Sequence, residues 1–149
     1  SPRRTAHTAT EPTRGVNSTG AKRAQFCGSI DRRRHFHVLL WESALHVVRC
    51  APEAMAAQLN RLSGFIGLDT VTLGIILLGA RTPFSPKHRF WITDDRLVVA
   101  DTWNAEVWLD SPDDVAYYRN VWNLIHESAV FDHQAHRLIG RARAGLTLF

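Results

Sequence analysis

The chain has 149 residues, of which 45% are hydrophobic and 21% charged, a composition typical of one ordinary globular domain. The net charge of +4 does not indicate a nucleic-acid-binding surface over the whole domain. Residues 1–34 contain eight Lys and Arg and two acidic residues, whereas residues 35–149 contain ten Lys and Arg and twelve acidic residues. The positive charge is therefore concentrated in 1–34. The longest apolar run, Val71 to Ala80, is about half as long as a transmembrane helix requires, so no membrane span is expected.

Residues 1–34 are predicted to be a basic, flexible leader or the remnant of a preceding helical segment, and residues 35–149 to form the domain. The leader is rich in Ser, Thr, Pro and Gly and has no apolar period. Its last residues, Arg32, Arg33 and Arg34, are candidates for contacts to nucleic-acid phosphates. A solvated arm is the simpler interpretation, because charge-rich arms are often disordered.

Apolar runs bounded by turn residues predict the strands. In chain order they are His35–Trp41, Val71–Leu78, Arg89–Thr93, Leu97–Asp101 and Glu106–Leu109. The first run becomes fully apolar, which is typical of a central strand. Asp94-Asp95-Arg96 predicts a hairpin turn, and Asn104-Ala105 a second tight turn.

The first long helix is predicted to begin with Pro52 at its first position. Met55, Leu59 and Leu62 follow at i, i+4 and i+7 and lie on one face, and Gly64 is a plausible stop.

Two further helices are predicted in the last third of the chain. Ser111 is a hydroxyl cap followed by Pro112 and two acids, and Asp132 is a candidate cap for the last helix. Their apolar stripes are Val115, Tyr118, Trp122, Ile125 and Ala129, and then Ala135, Leu138, Ile139 and Ala142. The order of elements favours a single α+β domain, with a mixed, mostly antiparallel sheet and helices packed on one face.

Eight histidines raise the question of a metal site. His35 and His37 are predicted to share a strand face, and His133 and His136 a helix face. A zinc site needs three or four convergent ligands, and no motif joins the two pairs. We expect no metal and no cofactor, since glycine-rich phosphate motifs are also missing.

No catalytic set stands out. Cys27 and Cys50 lie in no nucleophile motif and no CxxC pair, and no GxSxG occurs. Without a signal peptide, a reduced cytoplasmic protein is the default expectation. The alternative is a small hydrolase in which Asp101 and Glu106 meet across a turn, although such residues are more often turn and rim charges.

Five tryptophans are the more informative set. Core packing is the favoured interpretation of each, but exposed tryptophans make good contact surfaces for partners. Trp91, Trp103 and Trp108 are the candidates for partner contact. No helix-turn-helix pattern precedes residue 35, so any DNA-reading domain is expected outside this chain.

Five sequence blocks follow one another along the chain. They are FHVLLWESAL (Phe36–Leu45), PEAMAAQLNRL (Pro52–Leu62), VTLGII (Val71–Ile76), FWITDDRLVVADTWNAE (Phe90–Glu106) and DSPDDVAYYRNVWNLI (Asp110–Ile125). In these blocks and their order, from about His35 to Arg143, the chain resembles the C-terminal effector domain, of unknown function, of actinobacterial XRE-family helix-turn-helix regulators of the Scr and WhiJ type.

This resemblance implies a regulatory domain that receives a signal or a small partner protein encoded nearby and so modulates DNA binding. It implies no catalytic residues or cofactors. Three departures stand out. A proline usually follows VTLGII where this chain continues through Leu77 to Leu78, and glutamate usually stands in place of Asp101. The helical segment that precedes FHVLLWESAL in the family is also short here.

Overall fold

The computed structural model describes residues 34–85 and 87–146. Within these ranges the chain forms strands and helices that alternate in the first half and end in two long helices. In order they are β1 (Phe36–Trp41), α1 (Glu42–His46), α2 (Pro52–Phe65), β2 (Val71–Ile76), β3 (Phe90–Thr93), β4 (Leu97–Asp101), β5 (Glu106–Leu109), α3 (Pro112–His126), β6 (Ala129–Val130) and α4 (Asp132–Gly145).

The first sheet has the order β1-β2-β6. β1 and β2 are parallel, from the pair Phe36 and Val71 to the pair Trp41 and Ile76, and α1 and α2 provide the crossover that a parallel pair requires. β6 adds antiparallel to β2. The central strand is therefore β2, which is buried from its third residue onward, whereas β1 lies at an edge with its first half exposed. The prediction of a central position for β1 was wrong, because its apolar second half is covered by helices rather than by a strand on each side.

The second sheet is the antiparallel meander β3-β4-β5. Asp94 and Asp95 both adopt positive φ, at 49° and 54°, and the Arg96 N–H donates to the Thr93 carbonyl at 3.0 Å. This is the pattern of a type I′ hairpin turn, whose twist matches that of the strands. Thr102 closes the next turn with a 2.8 Å bond from its N–H to the carbonyl of Ala105. Both predicted turns are confirmed.

Helices cover both faces of the first sheet. Leu73 and Ile75 of β2 pack with α1, α2 and α4, whereas Ile76 packs with Val121 and Ile125 of α3. The predicted α+β class and the mostly antiparallel pairing are confirmed. The structure differs in two details, since the strands form two sheets and α3 lies on the face opposite the other helices. The position of α3 follows from β2, whose side chains are apolar on both faces of the sheet. Helices must therefore pack against each face to bury them.

The start of α3 is as predicted, because Ser111 caps it and accepts the Asp114 N–H at 3.2 Å. Two other helix boundaries differ from expectation. α4 has Phe131 at its cap position, and Asp132, with φ 48°, is its first residue. Phe131 follows β6 directly and lies against β2, where a Cβ on Gly74 would come within 2.5 Å of its ring. Gly64 lies inside α2, which ends one residue later at Phe65.

The two single positions that depart from the family pattern, Leu78 and Asp101, both make hydrogen bonds. The backbone N–H of Leu78 donates to Glu42 at 2.9 Å, which ties the end of β2 to the start of α1. A proline at position 78 has no N–H to donate. Asp101 accepts a hydrogen bond from Arg89 and forms an ion pair with it across the strand ends. Each departure therefore fits its own surroundings.

Candidate functional site

A concavity lies where residues of both sheets approach α3. Two adjoining cavities, with volumes of about 620 Å³ and 350 Å³, share five lining residues and together form one cleft. The shared residues are Trp41, Lys87, His88, Phe90 and Ile125. The larger volume falls within the range of roughly 300–1,000 Å³ typical of small-molecule sites.

The floor of the cleft is apolar because each neighbouring element presents its hydrophobic side there. β1 supplies Leu39 and Trp41, and Ile76 lies at the end of β2. α3 contributes Trp122 and Ile125 to the opposite wall. Several of these residues also belong to the second hydrophobic cluster, so the floor continues directly into the core.

The ionisable groups around the larger cavity are basic. Arg49 lies after α1, and the segment Lys87–Arg89 leads into β3. Among the described residues that line either cavity, none is an Asp, a Glu or a Cys. The cleft therefore combines an apolar floor with a positively charged rim.

His88 stands at the junction of the two cavities. It forms a 3.0 Å hydrogen bond to the Tyr118 hydroxyl, and the Phe90 ring contacts that of Tyr118 edge-on with centroids 4.9 Å apart. Burial, followed by the nearby Tyr117 and Asp114, raises the pKa of Tyr118 above its ordinary value. Tyr118 thus stays a neutral phenol near pH 7 and holds His88 in place.

The three predicted contact tryptophans lie outside the cleft. Trp91 and Trp108 are the register partners of Val99 on either side of β4, so alternation places all three on the same face of the second sheet. We call this surface, with Trp91, Val99 and Trp108, the outer face. Trp103 lies apart in the β4–β5 turn and is fully exposed. Trp108 is 41% exposed and Trp91 is half-buried.

Asp101 and Glu106 are register partners at the end of the β4–β5 hairpin, as predicted. Neither lines the cleft. Asp101 is engaged by Arg89, whose guanidinium also lies 5.8 Å from the centre of the Trp91 ring. The two carboxylates thus meet on the sheet rather than in a pocket, and one of them is tied to a cation.

His35, directly before β1, and His37 within it lie side by side, which confirms that part of the histidine prediction. Their ring centroids are 4.5 Å apart, and His35 forms a 2.8 Å hydrogen bond with Thr72. Burial lowers the pKa of His37, and the charges of His35 and of His126 on α3 lower it further. His133 and His136 lie exposed on α4. Within residues 34–85 and 87–146 no three His, Cys, Asp or Glu side chains are grouped as metal ligands would be.

Of the predicted arginine contacts, Arg34 is exposed at the start of the described chain. Arg32, Arg33 and Cys27 lie outside the described residues, as does the predicted leader apart from Arg34. Cys50 is exposed and free.

Sequence reasoning missed the cleft and its basic rim. The local signal was the proline-punctuated stretch TPFSPKHRF (82–90), in which Lys87, His88 and Arg89 directly precede Phe90. Its meeting with Trp41 and Arg49 depends on contacts between segments far apart in sequence, which periodicity does not report.

The comparisons with known proteins give a family but no described activity. No curated protein and no solved structure matches the chain. In the described ranges, no helix has the length and apolar character needed to cross a bilayer. The sequence matches the family described as a domain of unknown function, DUF5753, over residues 3–141. Because this match covers most of its length, the chain belongs to that family.

Proposed function

We propose that this chain is the signal- or partner-binding domain of a helix-turn-helix type transcriptional regulator, whose DNA-binding domain lies outside it. The observation that carries the proposal is the cleft, an apolar concavity with a basic rim formed where two sheets and α3 meet. The five sequence blocks that resemble regulator effector domains support the same function.

The chemistry of the cleft favours binding over catalysis. Hydrolysis through a covalent intermediate on a Ser, Thr or Cys side chain needs that nucleophile, a base within hydrogen-bond reach and a group that orients the base. His88 is bonded to a tyrosine hydroxyl, and no carboxylate among the described residues lines the cleft to orient it. The lining can hold a ligand but does not offer this relay.

The hydrolase alternative with Asp101 and Glu106 has less support. Asp101 is paired with Arg89, and neither carboxylate lines either of the two cavities that form the cleft. Direct nucleic-acid binding through Arg32, Arg33 and Arg34 stays a prediction. Replacing all three by glutamine without loss of DNA affinity would contradict it.

A second surface is available for a protein partner. Trp103 and Trp108 are exposed, and aromatic side chains on a rigid sheet contribute large contact area at low entropic cost. We propose that a small partner protein encoded nearby contacts this side of the second sheet.

The test measures two affinities in the regulator that carries this domain. Its affinity for the neighbour-encoded protein is measured by titration calorimetry, and its affinity for operator DNA by fluorescence anisotropy, with and without that protein. We expect micromolar or tighter association and an operator affinity that changes at least about fivefold on partner binding, the size of an ordinary allosteric coupling. No association together with an unchanged operator affinity would overturn the proposal.

A further inference from the structure

We infer that the cleft binds a small amphipathic organic anion, with an apolar body and one carboxylate or phosphate group. This inference rests on the proposed function and names the chemical class of its signal. The body would lie on the floor formed by Trp41, Trp122 and Ile125, and the anionic group would meet Lys87 and Arg49 at the rim.

The first step in the argument is the fit of the apolar body. The larger cavity, at about 620 Å³, has room for one small ligand, and the adjoining 350 Å³ allows an elongated one to continue past His88 and Phe90. Aromatic walls on both sides favour contact with a flat or extended hydrocarbon body.

The second step is the sign of the charge. Arg89 is already neutralised by Asp101, but within the described residues no carboxylate lies within ion-pair distance of Lys87 or Arg49. These two cations face a concavity that no described acidic side chain lines. An anion entering beside apolar walls is screened less than on an open surface, so its attraction to them is stronger. A cationic amphiphile would meet the same groups with repulsion.

The third step separates a small molecule from a protein segment. Five residues are shared by the two cavities, and both β1 and α3 line the cleft. A concavity of this volume suits a single small molecule. A protein partner needs a larger contact area, and the exposed Trp103 and Trp108 that could supply part of it lie outside the cleft.

The experiment is titration calorimetry of the full chain with dodecanoate, dodecyl phosphate and dodecyltrimethylammonium, which share the same apolar body. We expect both anions to bind with Kd values at least about tenfold lower than that of the cation. Lys87→Gln and Arg49→Gln should each raise the Kd of both anions about tenfold, as loss of a charge-assisted contact does. The Kd of the cation should stay the same or fall, because each substitution removes a repelling charge. Arg61→Gln is the matched control, because Arg61 is exposed on α2 and lines neither cavity, and it should leave all three Kd values unchanged.

If the two substitutions weaken the binding of only dodecanoate or only dodecyl phosphate, the anionic group of the ligand is assigned to that class. Equal binding of the cation, or unchanged anion binding in both variants, would overturn the inference. So would binding of an acidic amphipathic peptide with no binding of dodecanoate, which would assign the cleft to a protein segment. Unchanged thermal unfolding midpoints for the variants exclude loss of fold.

The two proposals fail differently. If the anions do not bind but the neighbour-encoded protein still changes operator affinity, only the ligand class is wrong. If the anions bind at Lys87 and Arg49 but neither the anions nor the neighbour-encoded protein changes operator affinity, the ligand class is supported and the proposed regulatory function is wrong.

Discussion

The outer face of the second sheet and the cleft differ in the properties that matter for binding. The outer face carries tryptophan side chains, Trp108 exposed and Trp91 half-buried, on either side of the buried Val99. The cleft is concave, apolar at its floor and basic at its rim. The sequence drew attention to the first and missed the second. Exposed aromatics therefore do not by themselves locate the concavity in which a small ligand could be enclosed.

The two regions also differ in how they are joined to the core. Trp41 is half-buried in the second hydrophobic cluster and lines both cavities, whereas Trp103 is fully exposed in a turn. Arg89 connects the regions, since it lines the larger cavity and pairs with Asp101 of the meander. Substitutions that affect one region and spare the other can test this difference.

The largest effect is expected from Trp41→Ala. Removing a large, partly buried ring from the cleft floor should lower the free energy of unfolding by about 3 kcal/mol, because contacts with the second hydrophobic cluster are lost and a hole remains. Trp103→Ala is the matched control and should change stability by less than about 0.5 kcal/mol. Urea denaturation measures both, and equal losses would contradict the distinction between the regions.

A smaller loss is expected from Gly74→Ala. The added Cβ would lie 2.5 Å from the Phe131 ring and 2.7 Å from Leu39, a residue of the cleft wall, so both must shift. Overpacking of this kind costs about 1–3 kcal/mol, and displacement of Leu39 should also weaken ligand binding. Gly64→Ala, inside α2 with open space around its Cβ, should instead raise stability by about 0.5–1 kcal/mol. Thermal unfolding of the two variants checks the opposite signs.

Asp101→Asn tests how far the charges of the two regions are coupled. The Arg89 guanidinium is 69% exposed, so loss of this ion pair should change stability by less than about 1 kcal/mol. Removing the negative charge leaves Arg89 unneutralised beside the cleft, and dodecanoate affinity should rise about two- to threefold. Glu127→Gln, an exposed acid after α3 that lines neither cavity, serves as the charge-matched control. An unchanged or lower affinity would show that Asp101 does not offset the rim charge.

The smallest effect concerns pH. Burial and the neighbouring His35 and His126 lower the pKa of His37 below its ordinary value of 6.5. The unfolded chain therefore takes up a proton there first as pH falls, and stability decreases below about pH 6.5. His37→Gln removes this contribution, so its unfolding midpoint should fall less than that of the parent between about pH 7 and pH 5. His133→Gln, exposed on α4, should behave like the parent.

Much of the local structure could be read from the sequence. The β3–β4 turn followed from Asp94-Asp95 between β-rich runs, and the start of α3 followed from Ser111 and Pro112. Both depend on neighbouring residues and the preferences of a few dihedral angles. The start of α4 was misplaced because Phe131, which a contact with β2 holds at the cap position, overrides the preference of Asp132.

The sequence by itself determined the longer elements, the α+β class and the family, since these depend on short-range patterns and on the order of blocks along the chain. It did not predict α1 or β6, and Ala129, expected on the stripe of α3, lies in β6. Only the tertiary structure decided that β2 rather than β1 is central and that the strands divide into two sheets. It alone brought Lys87 and His88 beside Trp41 and Arg49 to form a cleft. The physical reason is that apolar periodicity specifies which side of an element is buried. Which distant element covers that side, and what space remains between them, is set by the packing of the whole chain.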